Sequence, residues 1–382
     1  MIDTVPSRTN KIYPLTSVRF LTASFVVFHH SVRFFFSAFA RTEFRRGSED
    51  AIRIVAFSFP ISVSFFFFLS GYVLASVYLR GGRAVASRDF LAARFARLYP
   101  LYLLVLVLDT PEFLIAEVRR FGIRIGAAKT AEIFAGNMLL LQSWWSSRLL
   151  RINLPSWSLC SELFFYLCFP TIGFFLWKLR GRELWIMALC LYFGGQALVW
   201  LARPHFSLES ALCLPPLHLS TFALGILFAK WNELRWQERR GADVPAWQAN
   251  TVLVLSLAGL FLSVPLVPWF RVAAPYNNGM LVPIFAGIIW GLSAMTGLSR
   301  WLSQGWFVAL GNSSYALYLI HSPLLSLFVH LHWATAEFYV LYLALCVGLS
   351  VLSFYYFETP VRLWLLKWYQ SRRRTEAAYA LQ

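Results

Sequence analysis

The chain has 382 residues, of which 58% are hydrophobic, 18% aromatic and only 14% charged, against about 25% charged in a soluble domain. Apolar stretches of about 20 residues recur along it, which excludes a string of soluble domains and describes one polytopic bundle of membrane helices. The formal charge of +16, from 34 Lys and Arg against 18 Asp and Glu, suits a topology signal, anionic lipid headgroups or an anionic ligand. No basic stripe stands on a groove-sized soluble module, so nucleic acid is not an expected partner.

Residues 1–13 are polar, with Arg8 and Lys11, and the apolar stretch behind them has no small-residue cleavage site. It reads as a retained first span rather than a signal peptide. Apolar runs place spans near 15–39, 54–79, 98–118, 157–177, 184–202, 211–229, 250–270, 279–298, 307–330 and 337–358, about ten helices in an all-α integral membrane protein. A shorter apolar patch, Ile133 to Trp145, carries Asn137 and Gln142 and suits a re-entrant segment near 131–147. With both termini cytoplasmic, the interior receives Arg80, Arg83, Arg88, Arg94 and Arg97, then Lys178, Arg180 and Arg182, then Lys230, Arg235, Arg239 and Arg240. It also receives the tail residues Arg362, Lys367, Arg372, Arg373 and Arg374, as the positive-inside rule requires. The outer segment 119–156 is basic as well, with Arg119, Arg120, Arg124, Lys129, Arg148 and Arg151, and so either folds back or meets something acidic. Residues 1–370 form a single transmembrane domain, followed by a short basic cytoplasmic tail, 371–382.

Ionisable residues inside apolar spans are functional candidates because each is expensive there. In the first span, Arg19 and His30 are eleven residues apart. At about 100° and 1.5 Å per residue they point within roughly 20° of each other and lie roughly 16 Å apart along the axis, with His29 about 100° away. Ser70 and Gly71 close an F-F-F-F-L-S-G-Y run in the second span, where small residues permit close helix contact. Arg94 and Arg97, just before the third span, are an i,i+3 pair. Their guanidinium forks suit phosphate, although basic residues are also common at the inner end of a span. Glu162 follows Pro155 and Ser156 by about two turns, so it is either a dipole-favoured residue near a helix start or a buried carboxylate facing an arginine or histidine of the first span. His321 lies deep in the ninth span, with Tyr318 and Ser314 on a similar face; a neighbouring hydroxyl would satisfy it equally well. Glu358, with Pro360 and Arg362, closes the last span, where such residues commonly anchor a helix end. The five cysteines, all in or beside apolar segments, show neither disulfide nor zinc spacing, and no metalloprotease, hydrolase-elbow or phosphate-loop motif is present. No metal site is expected.

Taken in order, these segments resemble the membrane acyltransferase family 3 proteins. The matching letters are R-x10-H (Arg19, His30), F-F-x-L-S-G (Phe67, Phe68, Ser70, Gly71), R-x-x-R (Arg94, Arg97) and W-S-L-x-x-E (Trp157, Ser158, Leu159, Glu162). The S-Y-x-x-Y-L-x-H segment (Ser314, Tyr315, Tyr318, Leu319, His321) and a closing E-x-P (Glu358, Pro360) complete the series. Residues 230–305 carry none of these letters. The resemblance implies bacterial O-acylation, often O-acetylation, of an envelope or exported glycan or lipid-linked saccharide at the inner membrane. It further implies acyl-CoA (acetyl-CoA) as a donor substrate from the cytosol and no permanently bound cofactor. In similar proteins the first-span Arg and His are essential and the R-x-x-R pair is thought to engage the donor. Some relatives carry a fused extracytoplasmic domain that completes transfer; none is seen here.

On those positions, His30 acts as general base on an acceptor hydroxyl or takes the acyl group transiently. Glu162 or His321 stabilises the imidazolium, Arg94 and Arg97 hold CoA phosphates, and Arg19 sits between donor and base. Trp157, Ser158, Tyr315 and Tyr318 are expected to line the substrate. The competing expectation is a proton-coupled transporter or flippase for a lipid-linked or anionic solute, in which the same buried His and Glu relay protons.

Overall fold

The computed structural model describes residues 13–36, 47–82, 85–202, 204–239, 244–263, 278–294 and 297–379. The polar N-terminus with Arg8 and Lys11, residues 37–39 and 264–270 of two expected spans, 295–296 of a third, Arg83, Arg240, the Arg374 side chain and 380–382 lie outside the described residues. Every regular element within them is helical. In chain order these are α1 (Tyr13–Phe35), α2 (Gly47–Tyr78), α3 (Ser87–Phe121), α4 (Ile123–Met138), α5 (Ser146–Leu149), α6 (Trp157–Lys178), α7 (Gly181–Ala202) and α8 (Leu208–Cys213). Then come α9 (Pro215–Glu238), α10 (Ala246–Ser263), α11 (Val282–Ser293), α12 (Gly297–Leu302), α13 (Gly305–Asn312), α14 (Ser314–His330), α15 (Tyr339–Ser353) and α16 (Thr359–Tyr379).

Six helical stretches among the described residues are long and apolar enough to cross a membrane: Ile61–Tyr78, Leu154–Lys178, Gly181–Ala202, Ser210–Glu238, Ala246–Ser263 and Ala336–Arg373. The expected spans at 15–39, 98–118 and 307–330 coincide with α1, α3 and α14 but fall outside that set, as does 279–298, where the described helix α11 is apolar but short. Arg19, His29 and His30 interrupt the apolar face of α1, charges crowd both ends of α3, and the ninth expected span breaks at Ser313 between α13 and α14. In α1, α3 and α14 the lost apolarity thus comes from candidate residues or lies beside them.

The bundle is organised around α2 and α9, which touch backbone to backbone. A Cβ on Gly71 would stand 2.0 Å from the Phe222 carbonyl oxygen, and one on Gly225 would stand 2.1 Å from that of Phe68. Close approach of this kind is what small residues permit between membrane helices, where packing replaces the hydrophobic effect as the driving force. The four-phenylalanine run then radiates from α2, since successive side chains turn by about 100°. Phe65 and Phe68 meet Phe285 of α11, Phe67 meets Phe165 edge-on at 5.0 Å, and Phe66 turns toward Tyr318 of α14. Helices α7 and α10 lie outside this core and present rows of exposed apolar side chains such as Phe193, Leu201, Phe261 and Leu262, as a lipid-facing surface requires.

A second cluster joins α1, α3 and α14 through Val26, Leu101, Tyr102, Val105, Tyr315 and Leu319. The apolar patch at 133–145 is helical to Met138 and then turns, with Leu140 at φ +56°. Its two amides are buried and hold the turn together: Asn137 Nδ2 donates to the Leu149 carbonyl at 2.8 Å, and Gln142 Nε2 donates to that of Ser156 at 3.2 Å. Tyr102 of α3 ties the patch down by donating to the Asn137 carbonyl at 2.7 Å. The result fixes the position of the short 3-10 turn Leu154–Ser156 and hence the start of α6.

Candidate active site

A cavity of about 110 Å³ opens between α1, α2, α3, α6 and α14. Arg19, Arg94, Arg97, Glu162 and Tyr166 supply its charged and phenolic groups; Ser70, Ser158, Ser314, Tyr315 and Tyr318 supply the hydroxyls, and Val63, Phe66 and Phe67 are among its apolar walls. Five segments distant in sequence thus converge on one space. Three guanidiniums face a single carboxylate there, and surplus positive charge among low-dielectric walls attracts an anion.

Each polar group is oriented by a neighbour. Glu162 accepts from Tyr166 Oη at 2.6 Å, one helical turn on, and from Ser70 Oγ at 3.4 Å. Arg94 Nη2 donates to Tyr78 Oη at 3.0 Å, and its guanidinium lies over the Tyr78 and Phe90 rings. Tyr315 Oη donates to the Leu98 carbonyl at 2.6 Å, which joins α14 to the helix of Arg94 and Arg97. Tyr318 Oη donates to the Pro155 carbonyl at 2.8 Å and accepts from Ser158 Oγ at 2.8 Å.

His30 is not in this cavity. Its Nδ1 lies 2.9 Å from Nε2 of His321, with the two ring planes within 6° of each other. His321 is fully buried, and its Nδ1 lies 3.3 Å from the Leu317 carbonyl. A carbonyl only accepts, so His321 carries its proton on Nδ1 and its lone pair on Nε2. That lone pair accepts Nδ1–H of His30, which leaves Nε2 of His30 as the nitrogen with the basic lone pair. The His29 ring is edge-on to His30 at 5.1 Å.

The structure divides the expected residues between two places. Arg19 and His30 occupy one helix, yet Arg19 enters the cavity while His30 meets His321, because the eleven-residue rise separates their surroundings. Glu162 is a neighbour of Tyr166, Ser70 and the cavity arginines, and it is His321 that holds His30. Trp157 is absent from the cavity lining; its indole packs against His218 at 5.4 Å and Phe67 at 6.0 Å, behind the wall. Ser158, Tyr315 and Tyr318 do line the cavity.

Other groups gather at the site without having been singled out for it. Tyr166 had a readable signal, its i+4 spacing from Glu162. Arg362 had none: only the packing of α16 on α3 brings its charge within reach of Arg97 and Arg94. Glu358 belongs to the same charge cluster, acted on by Arg97, Arg362 and Arg19, and one of its oxygens, Oε1, is buried without a hydrogen-bond partner. It ends a π-helical turn, Phe354–Glu358, a distortion frequent at functional sites.

A bundle of apolar helices enclosing an arginine-lined cavity beside a hydrogen-bonded histidine pair defines a membrane-embedded group-transfer enzyme. The chain belongs to the acyltransferase 3 family, whose acyltransferase-domain profile matches residues 12–357. It is similar to acyltransferase MdmB of Streptomyces mycarofaciens, 32% identical over 280 residues that cover 68% of this chain and 67% of that protein. It is also similar to protein 2 in the picA locus of Rhizobium radiobacter, 32% identical over 165 residues, 39% of this chain and 75% of that one. No solved structure matches the chain. The protein is therefore a multi-pass membrane O-acyltransferase, and the carrier expectation gives way to the enzyme.

Proposed function

We propose that this enzyme moves an acyl group, acetyl in the first instance, from cytosolic acyl-CoA to a hydroxyl of an envelope or exported glycan. The observation that carries the reading is the His30–His321 pair beside a cavity with three arginines and one carboxylate. Arg94 and Arg97 bind the donor's phosphates at the cytosolic side, where planar guanidinium forks match phosphate oxygens. Arg19, balanced by Glu162, holds the inner part of the donor. His30 Nε2 removes the acceptor hydroxyl proton; the alkoxide attacks the thioester carbonyl, the C–O bond forms and the C–S bond breaks. The CoA thiolate then recovers the proton. His321 holds His30 in the tautomer this needs and shares the positive charge as it develops.

In the same reading residues 1–370 form one domain with ten crossings of the bacterial inner membrane, a re-entrant segment near 131–147 and both termini in the cytoplasm. Purified protein given radiolabelled acetyl-CoA, paired with mass spectrometry of surface glycans from cells with and without the gene, tests it. One acyl mass increment on a glycan supports the reading, and its loss in His30→Ala by about 10²–10⁴-fold, the usual worth of a general base, supports the role of His30. The His29→Ala variant should lose far less. Equal glycan masses in the two strains would overturn the glycan acceptor, and full activity of His30→Ala would overturn the base.

A further inference from the structure

The donor cavity and the histidine pair are neighbours, and Tyr318 touches both. Tyr318 lines the cavity, whereas neither His30 nor His321 does. On the other side the Tyr318 ring centroid is 6.1 Å from that of His321, and Phe66 meets Tyr318 edge-on at 6.3 Å. The ring is also pinned at its far end. Its hydroxyl donates to the Pro155 carbonyl and accepts from Ser158, each at 2.8 Å, and Pro155 lies in the 3-10 turn whose position the buried amides of Asn137 and Gln142 fix.

We infer that Tyr318, braced by Ser158 and the Pro155 carbonyl, walls the donor cavity next to the histidine pair and limits the length of the acyl chain the enzyme accepts. This rests on the reading of acyl-CoA as donor and adds which acyl groups it carries. An apolar cavity of about 150 Å³ admits one benzene ring. By proportion the roughly 110 Å³ of the whole cavity, arginine end included, admits about four non-hydrogen atoms, which leaves room for a short acyl end such as acetyl and too little for a six-carbon chain. Two of the apolar walls, Val63 and Phe67, belong to the closely packed core, and Phe66 packs on Tyr318, so the limit is set by packing and does not stretch freely. Removing the ring of Tyr318 takes away that wall and lengthens the cavity toward His321 by the ring's own depth. Removing only its hydroxyl leaves the wall in place.

The test uses full-length protein in mild detergent and competition of acetyl-, propionyl-, butyryl- and hexanoyl-CoA against radiolabelled acetyl-CoA. Wild type is expected to bind hexanoyl-CoA roughly tenfold or more weakly than acetyl-CoA, since each misplaced methylene is worth at least that order in a tight pocket. In Tyr318→Ala the two should bind within about threefold of each other. In Tyr318→Phe the wild-type ratio should persist. Tyr318→Leu, which keeps more of the packing, provides the same comparison if the alanine variant fails to fold, with an intermediate ratio expected. Wild-type protein that binds all four donors alike, or alanine and leucine variants that keep the wild-type ratio, would overturn the role of Tyr318 and leave the donor assignment standing. Failure of every acyl-CoA to displace label, or of label to bind at all, would overturn the donor assignment and this inference together.

Discussion

Replacing His321 with alanine separates two roles that the 2.9 Å contact with His30 can play. If His321 only orients the base, the loss is that of one neutral hydrogen bond, about 0.5–1.5 kcal/mol, or about 2- to 12-fold in rate. If it also fixes the tautomer and shares the developing charge, the base loses its function and turnover falls by about 10²–10⁴-fold. The structure favours the larger figure. His321 is fully buried, and its Nδ1 is committed to the Leu317 carbonyl, so its Nε2 lone pair fixes the proton on Nδ1 of His30. The alanine change also empties a core position, at about 2–5 kcal/mol of stability, and size-exclusion profiles in detergent must accompany the rate. His321→Gln, whose amide oxygen can accept from His30 Nδ1, should fold better and recover activity to within about tenfold of wild type. Labelled acetyl transfer by purified protein is the assay. A folded His321→Ala protein with wild-type turnover would refute the assignment.

Arg97→Ala should raise the acyl-CoA concentration needed for half-maximal rate by about tenfold or more, the worth of one charge-assisted hydrogen bond, with little change at saturation. Arg362→Ala should move it the same way by less, and donor titrations that coincide with wild type would remove both from the phosphate site. Gly71→Ala should lower thermal stability by about 1–3 kcal/mol, because its methyl group would meet the Phe222 carbonyl at 2.0 Å; an unchanged melting curve in detergent would contradict that contact. Asp89, at the start of α3, accepts from Arg373 and from Tyr369 of α16, and these bonds hold its carboxyl below the usual range. A lowered carboxylate pKa stabilises the docked state above the ordinary value and ceases to do so as pH falls through the lowered one. Spin-label distances between α16 and the start of α3 should therefore hold steady from neutral pH downward and lengthen only below about pH 4.

How much of this was legible before the fold is clearest residue by residue. Arg94 and Arg97 announce a shared face through their i,i+3 spacing, and the fold keeps them together because a helix preserves local phase. For Arg19 and His30 local phase says less. Pointing in nearly one direction does not mean sharing a space when about 16 Å of helix rise separates them, and the two residues meet different helices. Glu162 and His321 were recognisable as costly groups needing partners, but which one faced His30 depended on the way α6 and α14 pack on α1. Arg362 and Glu358 looked like the end of a span. Only the return of α16 along α3 brings them to the arginines.

The sequence by itself determined the class of protein: its apolar segments require a helical bundle in a membrane, and the ordered motifs point to an acyltransferase. Local chemistry also determined most of the candidates, since apart from Trp157 each is an ionisable or hydroxyl group in or beside an apolar segment. The tertiary structure alone decided their division into an arginine cavity and a histidine pair, with Tyr318 at the boundary. The physical reason is range. Periodicity and hydropathy act over one helix, whereas His30 and His321, 291 positions apart, are joined only by the packing of helices whose neighbours no local rule specifies.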